Sequence, residues 1–190
     1  AIEYTYGAAG GRTREEYKDP AGAVRRVLAR QFDGLGRLAA TIHAPYAMAP
    51  DLDDPSVKKT VYTYDANGNL DAVTDPLAHV TNHDYDARNR LVRTTGDVAG
   101  IGAVVEYAYD ANDRLRQVLD PKGLATGYNY DGLGNLRQLV SPDTGTTEYA
   151  YDQAGNRTAQ TDARGITATF GYDQVDRLTQ VSYPNVQYGT

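Results

Sequence analysis

Two stretches of this chain carry residue types that could do chemistry. Asp65-Ala66-Asn67-Gly68-Asn69 resembles part of a calcium loop, in which oxygen-bearing side chains at alternate positions surround the ion. Such a loop has Gly sixth and a bidentate Glu twelfth. Here Gly is fourth and no Glu stands at the twelfth position, so the segment reads as a turn. His79 and His83 are four residues apart, a spacing that serves metal ligation on a helix face. His79 falls in a predicted turn, however, and no third ligand is near. His83 occupies the position that Tyr62 and Tyr107 hold elsewhere, which makes it a substitute for a sheet-face aromatic. Asp residues are numerous, but nearly all fall at turn positions, and no Gly-x-Ser-x-Gly, phosphate loop or zinc motif occurs. The expectation is a protein that is not an enzyme, with no catalytic residues, no cofactor site and no metal site.

What positions these residues is a repeat. Aligning the chain on an aromatic residue followed by Asp gives Phe32-Asp33, Tyr64-Asp65, Tyr85-Asp86, Tyr109-Asp110, Tyr130-Asp131, Tyr151-Asp152 and Tyr172-Asp173, with Tyr6-Gly7 as a degenerate eighth. From Tyr6 the steps are 26, 32, 21, 24, 21, 21 and 21, a fixed period with its insertions in the N-terminal half and one three-residue slip. Each unit has two punctuation marks. The first is Asp-x-x-Gly, a type I turn whose fourth residue must take positive φ. That position reads Gly36, Gly68, Asn89, Asp113, Gly134, Gly155 and Asp176, the three residue types that tolerate it. The second is Asp-Pro or a relative, eleven residues after the aromatic: Asp54-Pro55, Asp75-Pro76, Asp120-Pro121, Ser141-Pro142, Asp162-Ala163 and Tyr183-Pro184, with Asp19-Pro20 beginning the same pattern.

Two turns in every 21 residues leave six or seven for each connecting segment, a usual strand length. Tyr62 and Tyr64, Tyr107 and Tyr109, Tyr128 and Tyr130, and Tyr149 and Tyr151 stand at i and i+2, sharing one strand face. They are expected to form aromatic rows across neighbouring hairpins. Return segments begin at Leu70, Leu91, Leu115, Leu136 and Leu178, and several have a second apolar residue three positions on, at Val73, Val118, Leu139 and Val181. That spacing breaks alternation, so either the Leu belongs to the turn or a bulge intervenes. Connections this short exclude parallel pairing. The fold class is all-β, an antiparallel meander of tandem hairpins of about 21 residues, and a sheet of this many strands is expected to curl.

Composition agrees with half-exposed sheet surfaces. Leu, Val, Ile and Phe together number 35 of 190 residues, while 16 Tyr supply buried ring area with a wet or paired hydroxyl. A net charge of -6 with dispersed Lys and Arg argues against a nucleic-acid partner. Cys is absent, which removes disulfides, thiolate metal sites and a Cys nucleophile. No apolar run approaches the length of a membrane helix, and the first residues lack a signal peptide's pattern.

The organisation expected is a single repeat array. Residues 1–60 hold irregular units with an inserted loop near 44–53, because Phe32 to Asp54 spans 22 residues where regular units span 11. Residues 61–190 hold regular units. Neither end looks like a capping unit, so the chain reads as a fragment of a longer one.

Tyr62-Thr63-Tyr64-Asp65-Ala66-Asn67-Gly68-Asn69-Leu70, followed by Val73-Thr74-Asp75-Pro76, resembles the YD repeat of Rhs proteins, well over Tyr62 to Tyr183 and less regularly from Ala1 to Val61. That family includes bacterial polymorphic toxins, the C component of insecticidal toxin complexes, and the teneurins. The resemblance implies that the sheet forms part of a hollow shell enclosing a toxin or other cargo domain, and that the protein is secreted or at the cell surface. It also offers a self-cleavage reading for Asp120-Pro121-Lys122-Gly123-Leu124, whose letters match the family's cleavage segment. Those residues sit at the regular repeat position and another unit follows at once, so they read as a turn.

The partners expected are neighbouring repeats, an enclosed toxin domain and further copies through sheet edges, with no membrane span. The alternative is a carbohydrate or cell-surface adhesion module that binds glycans, since aromatic hairpin repeats of similar length also build choline-binding cell-wall domains. Those cages favour Trp, and this chain has none.

Overall fold

The computed structural model describes residues 1–8, 10–44, 57–96, 100 and 102–184. The expected inserted loop near 44–53, the Asp54-Pro55 mark and the chain beyond Pro184 lie largely or wholly outside the described residues. The chain is all-β, as the repeat requires, and divides into two compact units, Ala1–Val104 and Val105–Thr190.

The first unit contains β1 (Ile2–Tyr6), β2 (Arg12–Lys18), β3 (Val24–Phe32), β4 (Leu38–Ala44), β5 (Thr60–Tyr64), β6 (Leu70–Thr74), β7 (Val80–Tyr85) and β8 (Leu91–Gly96). The second contains β9 (Ala103–Tyr109, beginning at the boundary), β10 (Leu115–Leu119), β11 (Ala125–Tyr130), β12 (Leu136–Ser141), β13 (Gly145–Tyr151), β14 (Arg157–Thr161), β15 (Thr167–Tyr172) and β16 (Leu178–Ser182). Within each unit the strands lie in chain order, each antiparallel to the one before, so the sheet is a meander. Among the described residues no helix is long and apolar enough to cross a membrane.

All seven fourth-position residues of the Tyr-Asp turns have positive φ, from 59° at Asn89 to 92° at Gly134. The degenerate Tyr6-Gly7 turn follows suit through Gly10 at 77°. The Asp-Pro mark proves to be the same turn used a second time. In both, the fourth N–H donates to the Asp carbonyl and the Asp N–H donates to the carbonyl of the fifth residue. Examples are Gly68 to Asp65 at 3.1 Å with Asp65 to Asn69 at 2.9 Å, and Gly123 to Asp120 at 3.0 Å with Asp120 to Leu124 at 2.9 Å. Pro20, Pro76 and Pro121 take the second position, where their fixed φ fits. Ser141-Pro142 departs from this pattern. Ser141 pairs with Gly145, and the positive φ, 73°, falls on Gly145, the fifth residue and not the fourth.

The spacing of three after the return-strand Leu is resolved as a bulge. Tyr64 pairs with Leu70 but Thr63 pairs with Ala72, leaving Asp71 as the extra residue. The same slip recurs at Tyr6, Phe32, Tyr85, Tyr109, Tyr130, Tyr151 and Tyr172. Most Asp-Pro hairpins run without one, as in β6–β7 and β10–β11. Each repeat thus has one bulged end and one regular end, and bulges add local right-handed twist.

Side chains are mostly half-buried or exposed. The exceptions among the described residues are in the first unit, where Val27, Ala29, Ala40 and Ile42 are buried on β3 and β4 together with Glu15 and Thr41. In the second unit Tyr128 pairs with Leu139, Tyr107 with Val118 and Tyr149 with Gln160. The expected aromatic rows are therefore interleaved. A return strand stands between one hairpin's rings and the next, and each ring's cross-strand neighbour comes from that strand rather than being another ring.

Candidate functional site: the Tyr-Asp lattice

The Asp of each turn works as a clamp. Asp131 Oδ1 accepts the backbone N–H groups of Leu133 (3.0 Å) and Asn135 (2.9 Å), and its Oδ2 accepts the Asn135 side-chain amide at 3.1 Å. The pattern repeats at Asp33 with Arg37, Asp65 with Asn69, Asp86 with Arg90, Asp110 with Arg114, Asp152 with Asn156 and Asp173 with Arg177. Donors converging on a carboxylate favour its ionised form. The Arg90 side chain, then the turn's N–H groups, bring the Asp86 carboxyl down to about 2. Asn69 lowers Asp65 in the same way, and the backbone N–H of Arg37 is the main cause for Asp33. Sequence reading missed this fifth turn residue, although the signal was visible: Asp-x-x-x-Arg or Asp-x-x-x-Asn recurs at every Tyr-Asp turn from Asp33 onward.

The Tyr of Tyr-Asp ties one repeat to the one before it. The ladder between repeats stops short of the bulged end, as where β6–β7 pairing ends at Ala72 with Asn82, so the Leu70 carbonyl lies beyond it. The Tyr85 hydroxyl donates to that carbonyl at 3.0 Å. Tyr64 donates to Leu38 at 2.9 Å, Tyr130 to Leu115 at 2.9 Å and Tyr172 to Arg157 at 3.1 Å, each past the end of a ladder. Tyr64 and Leu38 are 26 residues apart where the others are 15, so the irregular stretch between them leaves the bond intact. Tyr151 makes no such bond among the described residues, and its repeat is the one in which the positive φ of the Ser141 turn falls on the fifth residue.

Clamp and hydroxyl share atoms. Arg37 and Arg114, each held by its own Asp, lie over the rings of Tyr64 (4.4 Å to the centroid) and Tyr130 (4.8 Å). Arg114 also donates to the Asp131 carbonyl at 3.0 Å. Elsewhere the turn tips join directly, Asn67 and Asn69 donating to the Asn89 side chain and Asn156 to that of Asp176.

The candidate chemistry groups fall into this lattice. Asp65 is engaged by its own turn, with Oδ1 accepting Asn67 and Asn69 N–H groups at 2.9 and 2.8 Å. His79 takes the fifth turn position, its Nδ1 2.9 Å from Asp75 Oδ2, while His83 Nδ1 lies 3.3 Å from the Thr94 hydroxyl across the β7–β8 pair. Asp120-Pro121-Lys122-Gly123-Leu124 forms the regular turn, with Gly123 at φ 78°. Among the described residues no three His, Cys, Asp or Glu side chains are grouped to hold a metal.

One charged cluster lies outside the lattice. Glu15, 6% exposed, has Arg30 Nη1 2.6 Å away, Arg12 Nε 3.4 Å away and the Tyr17 hydroxyl donating at 3.2 Å. The Arg30 contact is an ion pair without hydrogen-bond alignment, and Arg30 is the chief cause that keeps the Glu15 carboxyl below its ordinary range. Nearby, a concavity of about 440 Å³ opens between the Gly7–Gly11 and Asp33–Gly36 turns, against Phe32.

A meander of clamped hairpins, four of them strapped to the one before by the hydroxyl of Tyr64, Tyr85, Tyr130 or Tyr172, defines a structural repeat wall. The chain belongs to the teneurin YD-shell family, whose model matches residues 29–188. Among solved structures, the Tc holotoxin pore of Photorhabdus luminescens, in a TccC3 mutant form, is similar at a TM-score of 0.51 and 16% identity, covering 96% of this chain and 12% of that one. TcdB2-TccC3 without its hypervariable C-terminal region aligns at a TM-score of 0.46 and 15% identity, covering 97% of this chain and 14% of that one. At these identities the likeness is one of fold, and the chain spans a small part of the proteins it resembles. Among curated proteins no match is found.

Proposed function

We propose that this chain is a wall segment of a YD shell, that the wall encloses a toxin or other cargo domain, and that the segment performs no catalysis of its own. The observation that carries this reading is the lattice: repeat after repeat, the turn carboxylate and the tyrosine hydroxyl face their own turn or the preceding hairpin. A binding or catalytic protein concentrates such groups in one place, whereas a wall distributes them. Membership of the YD-shell family and the likeness to a Tc toxin chain support the same reading, and with it a place outside the cell or on its surface. The regular array from residue 61 onward is the modular part of that wall, and the stretch before it is its irregular start.

The test uses the full-length polypeptide that carries this segment. The enclosed domain should resist protease while the wall is intact. It should become digestible when two turns are broken together by Gly134→Val and Gly155→Val. Equal digestion with and without those substitutions would overturn the enclosure. Saturable binding of cell-wall glycans to the segment would favour an adhesion module instead.

A further inference from the structure

In the hairpins of Tyr64, Tyr85, Tyr109, Tyr130 and Tyr172, the residue paired with the tyrosine at the bulge is leucine: Leu70, Leu91, Leu115, Leu136 and Leu178. In the Tyr151 hairpin it is Arg157. The guanidinium of Arg157 lies between rings from the two flanking strands, 4.4 Å from the Phe170 centroid and 5.9 Å from that of Tyr149. The arginines at the fifth position of the Tyr-Asp turns are answered by carboxylates: Arg37, Arg90, Arg114 and Arg177 by the Asp four residues earlier. Arg157 has no carboxylate within pairing distance among the described residues. It lines a concavity of about 280 Å³ together with Gln160, Ile166, Phe170 and Tyr183. The Gln160 amide is likewise without a hydrogen-bond partner among the described residues. Arg164, on the same wall, is held by Asp162 at 2.6 Å.

A half-buried guanidinium whose faces meet aromatic rings still has its N–H edges to offer, and the group that fits them is a planar carboxylate accepting two parallel hydrogen bonds. The neighbouring Gln160 amide adds a donor beside it, and Ile166, Ala168 and Tyr183 surround the position with apolar area. We propose that this concavity binds the carboxylate of an acidic side chain, Asp or Glu, on a polypeptide lying against this face of the second unit. An acidic sugar is the competing source of the same group, since the exposed Tyr183 ring offers it a stacking face, and the titration below separates the two. The choice of a polypeptide rests on the proposed function, in which the wall lies against an enclosed chain.

The experiment is a titration of the 190-residue protein at low salt, following the Arg157 Nε–Hε resonance and the Phe170 and Tyr183 ring signals. The probes are acetyl-Ala-Glu-Ala-amide, its Gln analogue and galacturonate. The Glu peptide should give a saturable shift, the Gln peptide at least tenfold weaker binding, and added salt should weaken the Glu complex. Arg157→Leu introduces the residue that the five leucine hairpins above carry, so it should keep the fold by circular dichroism and weaken binding at least tenfold. Arg157→Lys, which keeps the charge and loses the fork, should fall between. Equal response to the Glu and Gln peptides, indifference to Arg157→Leu, or tighter binding of galacturonate would each overturn the proposal. Because the titration needs no cargo domain, its failure is distinct from failure of the protease-protection test.

Discussion

The bond between the Tyr130 hydroxyl and the Leu115 carbonyl isolates what the tyrosine contributes beyond its ring. Tyr130→Phe removes one oxygen and leaves the ring beneath Arg114, 4.8 Å away, so the cation–ring contact and the apolar area persist. What is lost is a 2.9 Å hydrogen bond to a carbonyl beyond the last β10–β11 pair, Gln117 with Gly127. A hydrogen bond of this kind contributes roughly 0.5–1.5 kcal/mol net, and an acceptor left unmet in a half-buried place costs towards the upper end, so a loss of about 1 kcal/mol is expected. For a chain of this size that shifts the melting temperature by about 2–4 °C. The assay is urea unfolding, in which the midpoint should fall while the slope stays fixed, because the surface exposed on unfolding is unchanged. The internal control is Tyr128→Phe, two residues away on the same strand face, whose hydroxyl makes no hydrogen bond among the described residues. Tyr172→Phe should repeat the loss, and the double variant Tyr130→Phe with Tyr172→Phe should sum the two, since different hairpins are strapped. If Tyr130→Phe and Tyr128→Phe destabilise equally, within about 0.3 kcal/mol, the hydroxyl strap does not hold the repeats together and the reasoning is refuted.

The turn geometry predicts effects of opposite sign at two equivalent positions. Ala78 sits at φ 69°, so Ala78→Gly should raise thermal stability, while Gly134→Val at φ 92° should lower it by more than about 1 kcal/mol and Gly134→Asn by much less. Equal melting temperatures for the Val and Asn variants would contradict the turn. The clamp predicts acid sensitivity. Asp86 has a folded-state pKa of about 2, below the ordinary carboxylate value, so its stabilisation is complete above the unfolded-state pKa near 4 and is lost as pH falls towards 2. The same direction holds for Asp33, Asp65 and Asp173. Urea midpoints measured from pH 6 down to pH 2 should therefore fall, and Asp86→Asn should make that fall shallower. An unchanged pH slope in the variant would remove Asp86 from the explanation.

The period, the hairpin meander and the positive-φ position of the Tyr-Asp turn were legible in the residues alone. They are local properties: Gly, Asn and Asp tolerate left-handed backbone, Pro presets its φ, and two turns in 21 residues leave room for nothing but short antiparallel strands. The identity of the two turns was also encoded, but it was disguised by Pro in one and by Tyr in the other. The bulge remained one of two readings in the sequence, because a spacing of three after Leu70 or Leu136 fits either a long turn or an extra residue, and strand pairing decides between them. The partners of the tyrosines lay further out of reach. Tyr64 and Leu38 are 26 residues apart and Tyr130 and Leu115 are 15 apart, and no pattern of types links a phenol to a backbone carbonyl that any residue could supply. Arg157 shows the same limit from the other side: its departure from the leucine column is visible in the alignment, but its seat between Tyr149 and Phe170 exists because pairing sets β14 between β13 and β15. Local backbone chemistry therefore determined which hairpins form, and the lateral packing of one hairpin on the next decided what their side chains do.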